Sequence, residues 1–426
     1  MTDVAVPSPQ LAPGTIPGFA TVPLPRTLFV PLGTSPRSAI EYAIRQGPVV
    51  RGGPLSSGNL DAGYTPVAPV AGTVVGTREI ELTSGHTILA AEITVDADQP
   101  EPSPEETSPF DGNLAQVLER VAEQGVWADR KTTPDLIAQL HAALKRPIET
   151  VICNFLEADG APLNSAILRS GAPLAVAGAL ALAKVLASRV QFVVDVEQYR
   201  PVSRALRKAK AAYAKIIELK NDYPQADPTI LLYMLTGRRL RPGRLPVEQG
   251  VLMLDAAAAL AVGQALVQRR AMTEIPLVIR ERGHGRVHLA SAPVGTPISH
   301  VLASLNIPIT NVIIRAGAVL RDVQISPDAI VAGGENRFDV SPVTASADRA
   351  GGADPCIRCG WCVAACPTRI HPAGLLEAAQ QNDQALAEFY GLPACIECGI
   401  CSYVCPSRLP LLSAIRVLRN STSTRP

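Results

Sequence analysis

Cys356-Ile357-Arg358-Cys359-Gly360-Trp361-Cys362-Val363-Ala364-Ala365-Cys366-Pro367 is repeated, in spacing and largely in residue type, as Cys395-Ile396-Glu397-Cys398-Gly399-Ile400-Cys401-Ser402-Tyr403-Val404-Cys405-Pro406. Both runs read C-x2-C-x2-C-x3-C-P and together hold eight of the chain's nine cysteines. Structural zinc sites reach four ligands by pairing two separated C-x2-C knuckles, whereas each run here offers four thiols by itself. Disulfide frameworks belong to small secreted chains, so dense thiols in a chain of 426 residues favour metal.

The spacing is the one by which bacterial-type ferredoxins hold a pair of cubane [4Fe-4S] clusters. Three cysteines at intervals of three on a tight loop, helped by Gly360 or Gly399, wrap three corners of a cube. The fourth is expected at the start of a helix after the loop, pointing to the other cluster. The expected ligand sets are Cys356, Cys359, Cys362 and Cys405 for the first cluster, and Cys366, Cys395, Cys398 and Cys401 for the second. Pro367 and Pro406 are expected at a first helical position, where a missing N–H is harmless. His371 is expected to be structural, because each cube already has four thiolates.

Outside this region the composition sets bounds. Thirty-nine basic residues against 38 acidic ones give no signal for nucleic acid. The start of the chain lacks a basic segment followed by an apolar core, so no signal peptide is expected. The apolar stretch Ala172–Ala183 is short and ends at Lys184, which reads as a buried helix rather than a membrane span of about 20 residues. The expectation is a cytoplasmic protein, any attachment to the cytoplasmic face of the inner membrane being made through partner subunits.

Residues 1–97 alternate short apolar runs with turns: Thr27-Leu28-Phe29-Val30, Val67-Ala68-Pro69-Val70, Gly72–Gly76 and Leu89–Val95 predict a small all-β module. The phrase Pro66-Val67-Ala68-Pro69-Val70-Ala71-Gly72-Thr73-Val74 looks like the hairpin of a lipoyl- or biotinyl-type barrel sandwich. A carrier domain needs a hairpin lysine, and the first lysine here is Lys131, so no carrier role follows. An acidic, Pro-rich linker spans 98–112.

Residues 112–272 alternate helix and strand patterns, as an α/β domain does. Thr133-Pro134 is expected to open a helix through Leu144. Glu149–Asn154 reads as a buried strand, Ala175–Leu186 as a helix, Val190 onward as a second strand and Pro201–Lys220 as a basic helix. On the last, Arg200, Arg204, Arg207, Lys208 and Lys210 read as solvated surface. Cys153, in mid-strand, reads as a core thiol. Residues 273–336 return to strands around one short helix, Ile298–Leu305, which suggests a β-grasp-like unit. A second polar linker covers 340–354, and the cysteine module occupies 350–416.

With these pieces in order, the chain resembles the C subunit of the Rnf-type electron-transport complex (the RnfC family) nearly end to end. The likeness rests on Leu24–Leu32, Ala71-Gly72-Thr73-Val74, Ile148–Asn154, Leu235-Thr236-Gly237-Arg238, Gly250–Met253, Val294–His300 and the two cysteine runs. It implies four parts: a barrel sandwich, an α/β domain like the FMN- and NADH-binding subunit of complex I, a soluble-ligand-binding β-grasp, and a two-cluster ferredoxin-like α domain. It also implies that electrons pass between nicotinamide and membrane-bound carriers, with other members of the complex and a ferredoxin or flavoprotein as partners.

The chain departs from that family at the flavin site. The family's G-x-G-G-A-G-F-P loop leaves bare backbone to approach phosphate and flavin. Here the corresponding segment is Gly125-Val126-Trp127-Ala128-Asp129-Arg130-Lys131-Thr132-Thr133-Pro134, with a single glycine. Where the family has an acidic E-C-E-P segment after its strand, this chain has Asn154-Phe155-Leu156-Glu157-Ala158-Asp159-Gly160-Ala161-Pro162, and the family's Y-P-x-G-G motif has become Tyr223-Pro224-Gln225-Ala226-Asp227-Pro228. FMN and NADH are therefore not expected to bind, no catalytic residue is expected, and two [4Fe-4S] clusters are the expected cofactors. The alternative expectation is a working NADH-oxidising flavoprotein with a divergent pocket. Within the cluster loops, Arg358 and Glu397 occupy equivalent places, so the first cluster is expected to have the higher potential.

Overall fold

The computed structural model describes residues 18–33, 44–56, 64–99, 107–343 and 352–423. The central parts of both predicted linkers, 100–106 and 344–351, lie outside the described residues.

After a short strand β1 (Ala20–Thr21), the first sheet joins β2 (Thr27–Pro31), β3 (Gly47–Val49), β4 (Gly72–Glu81) and β5 (Thr87–Val95) in the antiparallel order β2-β5-β4-β3. Alternation drives it: on β2, Leu28 and Val30 are fully buried against Ile93 and Val74, while Thr27 and Phe29 are half-buried on the other face, Phe29 packing on the cluster around Trp127. Val67–Val70 does not form a strand; only Val67 makes an isolated bridge, to Pro54.

The next unit carries a four-stranded, wholly parallel sheet. Its strands are β6 (Thr150–Asn154), β7 (Arg189–Val194), β8 (Ala214–Glu218) and β9 (Val251–Asp255), in the order β8-β7-β6-β9. Helices α1 (Leu114–Glu123) and α2 (Leu136–Ala143) precede it. Helices α3 (Leu163–Val185), α4 (Val196–Ala209), α5 (Pro228–Thr236) and α6 (Ala256–Val267) connect its strands or follow β9. Parallel strands are covered on both faces, so β9 is buried at every residue. Helix α3 is long and apolar enough to cross a membrane, but 61% of its apolar window is buried within the chain. It packs on α6 at Gly178 and Gly263, where a Cβ on either residue would collide with the other helix's backbone. It is therefore a core helix of this unit.

Two local expectations change here. Helix α2 begins at Leu136 with Asp135 as its cap, whose side chain accepts from Ala138 N at 3.0 Å. Thr133 instead spends its hydroxyl on Asp255 N, as acceptor, at 2.7 Å. The basic helix starts at Val196 on an Asp195–Gln198 capping box and stops at Lys210, which is left-handed at φ 52°. The chain then enters β8, the edge strand of the sheet, where the sequence pattern suggested more helix.

The third sheet has the order β1-β11-β10-β14-β12-β13, with β10 (Glu274–Glu281), β11 (Arg286–Pro293), β12 (Val312–Ala316), β13 (Val323–Gln324) and β14 (Arg337–Pro342). β10 pairs antiparallel with β11 and parallel with β14. Helix α7 (Ile298–Ser304) buries Ile298, Val301 and Leu302 against it. The C-terminal unit is helical: α8 (Trp361–Ala364), α9 (Pro372–Gln381), α10 (Gln384–Phe389), α11 (Ile400–Tyr403) and α12 (Leu411–Ser423). Leu375, Ala378, Leu411 and Ile415 form its core. Cys366 and Cys405 lie just past the short helices α8 and α11, and Pro367 and Pro406 sit in turns rather than at a helix start.

Candidate iron–sulfur centres and the neighbouring α/β pocket

The two cysteine loops share one backbone shape. Arg358 and Gly360 are left-handed at φ 56° and 77°, as are Glu397 and Gly399 at 53° and 78°. These paired reversals curl each C-x2-C-x2-C segment around a common centre. At Gly360 a Cβ would meet nothing within 4 Å, so only its backbone conformation calls for glycine. At Gly399 a Cβ would also strike the carbonyl of Leu320, because this loop is pressed onto the turn before β13.

The thiols gather in two places. Cys356, Cys359, Cys362 and Cys405 line one cavity, together with His371 and Gly374. Cys366, Cys395, Cys398 and Cys401 line another, with Ile370 and Leu412. Each group takes three cysteines from one run and the fourth from the other. Among the described residues, no three Cys, His, Asp or Glu side chains converge as a single metal ion would require. Four thiols lining one cavity are the donor set that a cubane cluster takes. The donor set therefore fits a cubane cluster in both places.

The two groups differ in exposure. Cys356 and Cys359 are exposed, whereas Cys366, Cys398 and Cys401 are each 8% exposed. Burial above all, with neighbouring thiols adding to it, pushes Cys398 and Cys401 up to about 12. Such thiols ionise together only with cations between them, as metal binding supplies. His371 does not join either group. Its Nδ1 caps α9 by accepting from Gly374 N at 2.8 Å, and its ring stacks on Tyr390.

The buried group is enclosed by side chains from three other elements. The Tyr223 hydroxyl donates to the carbonyl of Cys398, and Arg419 on α12 donates to the carbonyl of Cys395. The N–H of Glu397 donates to Cys395 Sγ at 3.3 Å. The Glu397 carboxylate meets Arg419 at 2.6 Å, Arg416 at 3.4 Å and Lys131 at 3.9 Å. Burial opposes its charge, but Lys131, Arg419 and Arg416 outweigh that and hold its carboxyl below the usual value. Glu397 is therefore not the free negative charge that its place opposite Arg358 in the two loops suggests.

The segment corresponding to the family's flavin loop is closed on itself. Arg130 N donates to Thr133 O at 2.8 Å and Thr133 N returns a bond to Arg130 O at 3.0 Å. Val126 N is spent on Val121 O. These amides are not free to cradle a phosphate. Trp127, 5% exposed, packs on Tyr64 and on the backbone of Gly333. Arg130 grips both oxygens of Asp255 at 2.9 and 2.7 Å and reaches Gly333 O at 2.8 Å. Asp255 caps α6 by accepting from Ala258 N at 2.8 Å; burial works against its charge, but Arg130 holds it down at about 2. A cavity of about 190 Å³ remains between Trp127, Arg130 and the alanines of α6.

The other two divergent segments are likewise occupied. Glu157 and Asp159 are buried, and Arg337 bonds both at 3.0 Å. Arg280 also pairs with Asp159, and with Asp339 at 2.6 Å. Despite its burial Asp159 is held at about 2 by Arg280 and Arg337. Asp227 caps α5 by accepting from Thr229 N at 3.0 Å and lies 3.6 Å from Arg321. The residues present do not offer the open glycine cradle that FMN uses in the resembled family. Sequence reasoning missed Arg280, Arg321 and Arg337, which reach these segments from elements more than 90 residues away.

An iron–sulfur protein built on a mixed α/β scaffold with a ferredoxin-like C-terminal unit is the class these features define. Two family models match: the Nuo51 FMN-binding domain over residues 135–264, and the 4Fe-4S dicluster domain over residues 352–406. The first match begins just beyond the closed loop. The C subunit of the ion-translocating oxidoreductase complex of Citrobacter koseri is 26% identical over 396 residues, covering 86% of this chain and 53% of that protein. The chain is similar to this protein and spans about half the length of that curated relative. Among solved structures, the NAD+-reducing [NiFe]-hydrogenase in the H2-reduced state aligns with TM-score 0.49 and 14% identity, over 75% of this chain and 63% of that one. The same enzyme in the air-oxidised state aligns with TM-score 0.47 and 12% identity, over 76% and 57%.

Proposed function

We propose that the chain is the electron-transfer subunit of an Rnf-like oxidoreductase complex, attached to the cytoplasmic face of the inner membrane through its partner subunits. Two [4Fe-4S] clusters would be held by Cys356, Cys359, Cys362 and Cys405, and by Cys366, Cys395, Cys398 and Cys401. Each supplies one-electron chemistry when bound. The carrying observation is that each cavity collects three thiols from one run and the fourth from the other. Exposure of Cys356 and Cys359 favours the first cluster as the port to a ferredoxin or flavoprotein partner.

In this reading, residues 1–97 are a barrel-sandwich domain, 112–272 an α/β domain of the complex I type, 273–336 a soluble-ligand-binding β-grasp and 350–416 the cluster domain. The β-grasp assignment is supported by α7 packed across β10, β11, β12 and β14. The α/β domain serves as scaffold: Arg130, Arg280 and Arg337 already satisfy the acids of its former pocket.

One observation favours a second reading, a working NADH oxidase: the match of residues 135–264 to an FMN-binding domain. Anaerobic spectra separate the two. The relay reading predicts that a low-potential chemical reductant bleaches the clusters and that NADH does not. Bleaching by NADH alone establishes the flavoprotein.

A further inference from the structure

Tyr223 belongs to the α/β unit, yet its hydroxyl bonds the carbonyl of Cys398, 175 residues away in the buried thiol group. Lys131, on the closed loop of the same unit, reaches Glu397 in the same cysteine loop. Behind Tyr223 stands Arg321, 6% exposed and 3.6 Å from Asp227, with a buried Nη1 that has no hydrogen-bond partner. Arg416 and Arg419 complete the wall. Four cations (Lys131, Arg321, Arg416, Arg419) thus face two acids (Asp227, Glu397) around this group. The other thiol group is more open, and two of its cysteines are exposed.

A cluster held by four thiolates is anionic and becomes more so on reduction. Donated hydrogen bonds and nearby cations stabilise the reduced form, most strongly where solvent does not screen them.

We propose that Tyr223 and Lys131 are positioning residues for the second cluster: through them the α/β unit clamps the Cys395–Cys398 loop and raises that cluster's midpoint potential. This inference rests on the two-cluster relay reading. The unit whose pocket has closed then still has a redox role, as part of the cluster's surroundings rather than as a flavin holder.

The test is a redox titration of the full chain, purified anaerobically and followed by electron paramagnetic resonance, with the two signals assigned through Cys359→Ser and Cys398→Ser. Tyr223→Phe keeps the ring and its packing while deleting the donor, and Lys131→Gln removes the charge of a half-exposed side chain. With iron content at the wild-type level, each variant lowers the midpoint of the Cys398 cluster and leaves the Cys359 cluster in place. Unchanged midpoints in both variants, or equal falls in both clusters, overturn the inference. Wild-type chain with far fewer than about eight irons per molecule overturns the relay reading itself, and the inference with it.

Discussion

Arg130 and Asp255 form a two-point ion pair at 2.9 and 2.7 Å, with side chains only 7% and 4% exposed. The pair ties the start of α6 to the segment Gly125–Pro134, of which Arg130 is a part. Removing one partner of a buried pair leaves an uncompensated charge, which costs about 3–5 kcal/mol. Arg130→Met is expected to destabilise the α/β unit by that order, read by chemical denaturation. Arg130→Met combined with Asp255→Leu is expected to cost less than Arg130→Met alone.

Acid stability follows from the same pairs. Asp159 and Asp255 are each held at about 2 against an ordinary 3.8. Their folded values lie below their unfolded ones, so the stability they contribute is complete above about 3.8 and lost as pH falls towards 2. Each contributes on the order of 2 kcal/mol. Glu157 is shifted the other way by burial, despite Arg337, and offsets part of this. Denaturation midpoints measured from pH 5 to pH 2 are expected to fall steeply below about pH 4, and less steeply in Asp159→Asn.

The ninth cysteine separates structural from ligating thiols. Cys153 is fully buried in the middle of β6, and burial pushes its thiol far up. Cys153→Ala is expected to cost about 1 kcal/mol and to leave the iron content unchanged. Cys405→Ser is expected to perturb the cluster of the Cys356 run, not that of its own run, in the resonance spectrum.

The two loop glycines make a graded test. Gly360→Ala meets open space and is expected to cost about 1 kcal/mol for its positive φ. Gly399→Ala adds a clash with Leu320 O and is expected to cost several times more, with loss of iron from the buried site.

Arg358 is exposed, so its field reaches the first cluster through solvent. Arg358→Glu is expected to lower that cluster's midpoint, by an amount that shrinks as salt is raised from about 0.01 to about 1 M. A titration at both ionic strengths reads the effect.

Much of this was legible in the chain because short-range patterns carried it. The C-x2-C-x2-C-x3-C-P spacing led to the thiol sets, and the period-2 runs Thr27–Val30 and Leu89–Val95 to the first sheet. Edge strand β8 was hidden: Ala214-Lys215-Ile216-Ile217-Glu218 continues a Lys- and Ala-rich pattern that suits a helix, and only pairing to β7 makes it a strand. The ion pairs around the divergent α/β segments were half legible. Missing glycines were visible, but the arginines that pair with Asp159 come from β10 and β14, and no local pattern announces them. The Tyr223 contact with Cys398 was invisible for the same reason.

The central claim is that two clusters are the chain's redox chemistry and that its α/β unit holds no flavin. Iron, acid-labile sulfide and flavin quantified on one anaerobically purified sample test it directly. The expected result is about eight irons and eight sulfides per chain with no flavin. Flavin near one per chain, or iron near half that amount, would contradict it.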